Sequence, residues 1–245
     1  MRSGFYRNRR DGSERLWFKP EDIEAMMEGE LRKAGLYPSV EEPVVDVERF
    51  IARHLKAQLD QYGELEEGVL GQTEFYPGES PKIVINRNLT GAIDDDATPA
   101  GILGRWRATL AHEASHVVMH RVLFEIDERQ QGLFNVEPAA DPVRLMRCDK
   151  KNVLFRGGGS DWREVQANMG MAALLMPQAV FRAIAQATLD ELGGRLDELV
   201  AGSAVTRSVI DTVAGRFAVS KQAAGIRLET LGFLSVRGQL ALGSR

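Results

Sequence analysis

The chain has 245 residues, 44% of them hydrophobic and 27% charged, with a formal net charge of −4, which is enough apolar material for one sizeable core or two smaller ones. Its longest apolar stretches, such as that from Met169 to Pro177, fall far short of the roughly 20 residues a membrane span requires. The basic N-terminus lacks the apolar run and small-residue cleavage site of an export signal, and the single cysteine, Cys148, cannot form an internal disulfide, so a reducing, cytoplasmic location is expected.

Charge is unevenly spread along the chain. Residues 1–20 form a basic arm at +4, residues 195–245 sum to +3, and the body between them stands at −11. Neither end is concentrated enough to argue for nucleic-acid binding without a motif. After the arm, Pro20, Glu21 and Asp22 suit the first turn of a helix that ends near Ala34, with Gly35 as its stop. Val47, Phe50, Ile51, Leu55 and Leu59 recur at helical spacing and predict a second helix from about Asp46 to Gln61, with His54 at the surface. From Val69 to Asn86 the pattern becomes two apolar or alternating runs around Pro77-Gly78-Glu79-Ser80, the chemistry of an antiparallel hairpin. Arg87 to Pro99, with Asp94, Asp95 and Asp96 in succession, reads as a solvated loop; the glycine and distal glutamate of a calcium loop are missing. A long helix is predicted from Ile102 to about Phe124, a polar insert over 125–160, a helix from Trp162 to Met176, and another after Pro177 to about Leu192. Beyond Gly193-Gly194 the chain reads as short helices, Thr206 to Phe217 and Lys221 to Leu231, with a terminal hairpin at 233–242.

The long helix carries His112-Glu113-Ala114-Ser115-His116, an H-E-x-x-H pattern expected by accident only about 0.006 times in a chain of this composition. Residues four apart on a helix are rotated by about 40° and lie about 6 Å apart along the axis, so both imidazoles can reach one metal ion. Glu113 projects beside that ion, where its carboxylate can take a proton from a water whose pKa the ion has lowered. A charged Glu113 among Leu110, Ala111, Val117 and Val118 is costly to bury without such a partner. The alternative is a helix whose histidines make ordinary hydrogen bonds.

A catalytic zinc keeps three protein ligands and an open position. His120 lies about 12 Å along the axis from His112, too far to share one ion comfortably, and reads as a residue that supports the site. On the next strong helix Glu164 and Asn168 share a face at i and i+4. Spacing alone leaves Glu164 balanced between third ligand and, with Asp161 as N-cap, the glutamate of a capping box.

These segments, LGQTEFYPGESPKIVIN, AHEASHVVMHR, EVQANMGMAALLMP and FAVSKQAAGIRLETLGFL, resemble in type and order the ImmA/IrrE family of zinc metallo-endopeptidases, across roughly residues 45–235. The resemblance implies an α/β (α+β) fold with a zincin-like core over 21–194 and a helix-turn-helix-like region over 195–245. It implies that Glu164 completes a Zn2+ site with His112 and His116, that Glu113 is the general base, and that the substrate is a helix-turn-helix repressor of a mobile element or stress response. Two features stand apart from the family pattern: the long interval between His116 and Glu164, and the basic arm. An extended substrate would be held against the edge of the 69–86 hairpin, and an acidic body would attract a basic DNA-binding substrate. The rival expectation is a DNA-binding regulator with a structural metal, reading bases through Lys221, Gln222 and Arg227; direct DNA binding is the less favoured of the two. Cys148 has two readings, an unremarkable cysteine of the insert or a thiolate placed to occupy the open metal position.

Overall fold

Proline at the first position and acidic groups in the first turn start helix α1 (Pro20–Lys33), and Gly35, at φ 66°, carries the chain out of it. Ile23, Met27 and Leu31, one per turn, are fully buried along its inner face. The computed structural model describes residues 4–7, 14–76, 78–93, 99–134, 144–149, 162–193 and 199–234. Within the basic arm, β1 (Gly4–Arg7) pairs antiparallel with β2 (Glu14–Trp17) as a separate two-stranded sheet.

The helix expected from Asp46 to Gln61 is shorter. Asp46 caps α2 (Val47–Arg49) by accepting the Arg49 N–H, the chain widens into a π-helical turn over Phe50–Leu55, and Lys56 in the left-handed conformation ends it. The last residues assigned to that helix instead open strand β3 (Gln58–Gly63), because their backbone groups pair with a neighbouring strand, and pairing overrides local periodicity. His54 is not a surface residue: it is half-buried, with Nε2 2.6 Å from Glu30 Oε2 on α1 and its ring against Phe50.

The 69–86 hairpin forms as expected, β4 (Val69–Phe75) antiparallel to β5 (Lys82–Asn86). It is the middle of a four-stranded sheet in the order β3-β5-β4-β6, with β3 parallel to β5 and β6 (Arg144–Asp149) antiparallel to β4. The hairpin therefore has no open edge for a substrate strand; β6 lies along it. That strand sits inside the stretch read as a polar insert, where Met146 and Cys148 are buried at the two-residue period of a strand.

The stretch read as a loop from Arg87 begins with a short helix, α3 (Arg87–Gly91), capped by Asn86; Asp94, Asp95 and Asp96 lie outside the described residues. Helix α4 (Ala100–Phe134) runs ten residues past the expected end at Phe124. The overrun, Glu125 to Phe134, is rich in Glu, Arg and Gln, residues that are polar but favour helix. Helix α5 (Trp162–Leu175) stops before Pro177, and α6 (Gln178–Glu191) follows it. Ser203 caps α7 (Ala204–Phe217), Ala218 at φ 50° turns the chain, and Ser220 caps α8 (Lys221–Thr230). The expected terminal hairpin lies, beyond residue 234, outside the described residues.

The result is a mixed α and β fold, mostly helical, with a small sheet. Among the described residues no single helix is long and apolar enough to cross a membrane. Val209, Val213, Phe217 and Leu228 of the C-terminal helix pair are fully buried in the same core as Phe181 of α6, and the Phe181 and Phe217 rings lie 5.6 Å apart. Arg227 is internal rather than displayed: its guanidinium pairs with Glu24 of α1 and donates to the Met176 carbonyl at 2.8 Å and 3.1 Å. Lys221 pairs with Asp211 at 2.9 Å.

The packing that matters most for the site is that of α4 on α5. A Cβ placed on Gly170 would lie 2.8 Å from Ser115 Oγ and 2.9 Å from Ser115 Cβ, so the two helices approach this closely only because residue 170 lacks a side chain. Gly170→Ala is expected to lower unfolding free energy by about 1–3 kcal/mol through overpacking, despite alanine's better helix propensity. Urea denaturation checks this; an unchanged or raised midpoint would show that α4 and α5 can part at no cost.

Candidate metal centre

Helix α4 presents His112, Glu113, His116 and His120 from one buried stretch, all four fully enclosed. Strand β4 passes beside them and α5 faces them. His112 Nε2 and His116 Nε2 are 3.0 Å apart, and Glu164 brings Oε2 to 3.2 Å from the first and Oε1 to 3.3 Å from the second. The three residues the sequence proposed as ligands thus converge on one point. Four tetrahedral ligands at about 2.0–2.1 Å from an ion stand roughly 3.3 Å from one another, and the observed separations match that edge length.

Two further observations fit a cation. Glu113 Oε1 is a buried carboxylate oxygen with no hydrogen-bond partner among the described residues, a costly state that a cation relieves. The ligand rings also have their tautomers set from behind. His112 Nδ1 lies 3.0 Å from Asn168 Oδ1, so an Nδ1–H donates there and Nε2 is left bare. His120 Nε2 lies 3.4 Å from Gln166 Oε1 and its Nδ1 2.9 Å from His116 Nδ1. With His120 donating to Gln166, its Nδ1 accepts from His116, which again leaves His116 Nε2 bare. Outer partners of this kind orient metal-bound imidazoles. A buried His112, His116 and Glu164 group could therefore hold a metal ion.

His120 takes the supporting place expected of it, one turn beyond His116 and edge-on to Trp162 at 5.6 Å between ring centroids. His54 stands apart on the α1 side. The capping alternative for Glu164 needs its carboxylate at Asp161, which lies outside the described residues; the carboxylate is found at the two imidazoles.

Glu113 is held by β4. Thr73 Oγ1 donates to its Oε2 at 2.6 Å, and a Cβ on Gly71 would lie 2.9 Å from its Oε1. Burial lifts the Glu113 carboxyl to about 8, against the pull of His112 and Thr73. Burial also lowers His116 to about 4 and His120 to about 3. For Glu164 burial acts upward, but hydrogen bonds with His112 and His116 outweigh it and bring the carboxyl down to about 2. His112 is the exception among the rings: burial acts downward, yet Cys148, Glu164 and Glu113 together hold its pKa well above the ordinary value.

Without an ion, His112 therefore carries a proton beside the Glu164 carboxylate, and metal must displace it. Affinity for a divalent metal is expected to fall by at least about tenfold per pH unit, one decade for each proton displaced, as pH is lowered below the His112 pKa. Calorimetric titrations at several pH values check this; an affinity independent of pH would contradict it.

Comparison of the sequence with family models finds no match, and comparison with curated proteins finds none either. The site stands on its geometry. Thr73, Gln166 and Asn168 were not singled out as supporting residues by the sequence reading, and Gly71 was not marked as a close approach. A glycine inside a strand is a signal of such an approach, and Asn168, one turn from Glu164, was visible as sharing its face. Nothing in the sequence pointed to Thr73.

Proposed function

We propose that this chain is a zinc metallo-endopeptidase with a zincin-like core, of the ImmA/IrrE kind, and that it hydrolyses a peptide bond in a helix-turn-helix transcriptional repressor of a mobile element or stress response. The observation that carries the reading is the convergence of His112 Nε2, His116 Nε2 and the Glu164 carboxylate within 3.0–3.3 Å, with the undonated Glu113 Oε1 beside them. Two imidazoles and one carboxylate suit a hydrolytic zinc centre. When bound, zinc would supply Lewis-acid polarisation of the scissile carbonyl and a lowered pKa to the attacking water.

The remaining work falls to the chain's own residues. Glu113 is the proton carrier: Thr73 fixes Oε2, leaving Oε1 to take a proton from water and pass it to the leaving amine. Its burial-raised pKa of about 8, brought down toward neutrality by a nearby divalent charge, suits a group that must both accept and donate. Asn168, and Gln166 acting through His120, hold the imidazoles in register. The α7–α8 pair, helix-turn-helix-like in form, serves as structural support or as a dock for the repressor. Arg227 and Lys221 are already engaged within the chain, which favours this reading over one in which α8 reads DNA.

The test is co-expression with a candidate helix-turn-helix repressor from the same genome, followed by mass spectrometry of the repressor and metal analysis of the purified chain. A clipped repressor together with about one zinc per chain is expected. A repressor left intact both by this chain and by its Cys148→Ala variant, or a chain purified under metal-sparing conditions that takes up no zinc, would overturn the proposal.

A further inference from the structure

Cys148 lies beside the candidate centre, next to His112 and Glu113. Strand β6 runs antiparallel along β4 with Cys148 opposite Gly71, and Gly71 is the point where β4 closes on Glu113. The cysteine is fully buried. Its sulfur, a carboxylate oxygen of Glu113 and a ring nitrogen of His112 all lie within 4.8 Å of one another, and the thiol is hydrogen-bonded to His112. A second, overlapping group of possible ligand atoms thus shares His112 with the first and contains Glu113, whose Oε1 is undonated and fully enclosed.

We infer that Cys148 ligates the same metal ion as His112, His116 and Glu164, closing the fourth position with its thiolate. The inference rests on the metal-ligand reading of those three residues. Thiolate is a strong zinc ligand, and a site with four protein ligands has no place for water or a carbonyl. Ligation releases the thiol proton, and opening the site takes one up. The same strand that delivers the sulfur also occupies the free side of β4, where an extended peptide would add to the sheet. With the sulfur bound to the ion the chain is latent, β6 holding both the metal and the peptide track. Substrate access requires Cys148 and β6 to leave together.

The test uses Co2+ in place of Zn2+, with absorption spectra of the full chain and of Cys148→Ala, each checked for folding by circular dichroism. A four-coordinate cobalt site shows visible ligand-field bands whatever its ligands, whereas a sulfur-to-cobalt charge-transfer band in the near ultraviolet appears only with a thiolate bound. The full chain is expected to show both, and Cys148→Ala the visible bands alone, with metal affinity weakened tenfold or more. Visible bands without the near-ultraviolet band in the unsubstituted chain would overturn the role of Cys148 while leaving the three-ligand site standing. Failure to bind Co2+ at all would remove both. Because the decisive spectrum is that of the unsubstituted chain, a Cys148→Ala variant that fails to fold does not block the test.

Discussion

Glu113→Gln is expected to retain the metal and to lose peptide cleavage by about two to four orders of magnitude, the usual contribution of a positioned general base. The amide is isosteric and can still accept from Thr73, so β4 and α4 should keep their places; what disappears is the capacity to take a proton. Burial also works in the variant's favour. A carboxyl lifted to about 8 by desolvation is kept protonated in the folded chain at neutral pH, at a cost in folding free energy, and an amide avoids that cost, so metal-free Glu113→Gln is expected to be no less stable than the parent at neutral pH. Initial-rate assays of cleavage of the intact repressor, with metal content measured on the same enzyme preparation, check both halves. A variant that cuts as fast as the parent, metal bound, would remove Glu113 from the chemistry.

Glu164→Ala is expected to weaken metal binding by more than about a hundredfold, beyond the 10- to 100-fold typical of losing an outer partner, which is the range expected for Asn168→Ala. The comparison separates the two roles that spacing alone left open. If Glu164 were chiefly a helix cap, its loss would cost the metal-free protein about 0.5–2 kcal/mol and leave metal affinity unchanged. If it is a ligand, affinity falls, while the metal-free protein loses only the contacts of its carboxylate with two imidazoles. Competition against a chelator of known affinity, with urea unfolding of the metal-free forms, distinguishes the outcomes; parent-like affinity would place the third ligand elsewhere.

Much of this centre was legible because its chemistry is local. His112, Glu113 and His116 are tied by helical repeat, and Glu164 lies on the next strong helix at a spacing that resembled a known pattern. What escaped were relations that cross between elements. Thr73 meets Glu113 across 40 residues, and Cys148 reaches His112 only because β6 registers on β4. No periodicity encodes such a pairing. The helix expected from Asp46 to Gln61 failed for the same reason: Leu59 continues an apolar repeat, but Gln58 to Asp60 find partners on β5, and those backbone bonds decide. The polar composition of 125–160 hides two elements, since Glu, Arg and Gln favour helix as well as solvent and the strand alternation at Met146 and Cys148 is only two residues long.

The tie between Arg227 and Glu24 joins residues 203 apart in the chain, and it bears on when the candidate centre can assemble. Helix α1 packs on α5 through Met27, whose terminal methyl would lie 3.0 Å from a Cβ on Gly170, so the seat of the helix that carries Glu164 depends in part on α1. Synthesis proceeds from the N-terminus, and contacts between distant residues are the last to form. A chain still on the ribosome therefore displays His112, Glu113, His116 and Glu164 well before the guanidinium that fastens Glu24 and the Met176 carbonyl has been made. Assembly of the candidate centre is thereby expected to await synthesis of α8, and a product ending before Arg227, though it carries every proposed ligand, is expected to bind metal poorly.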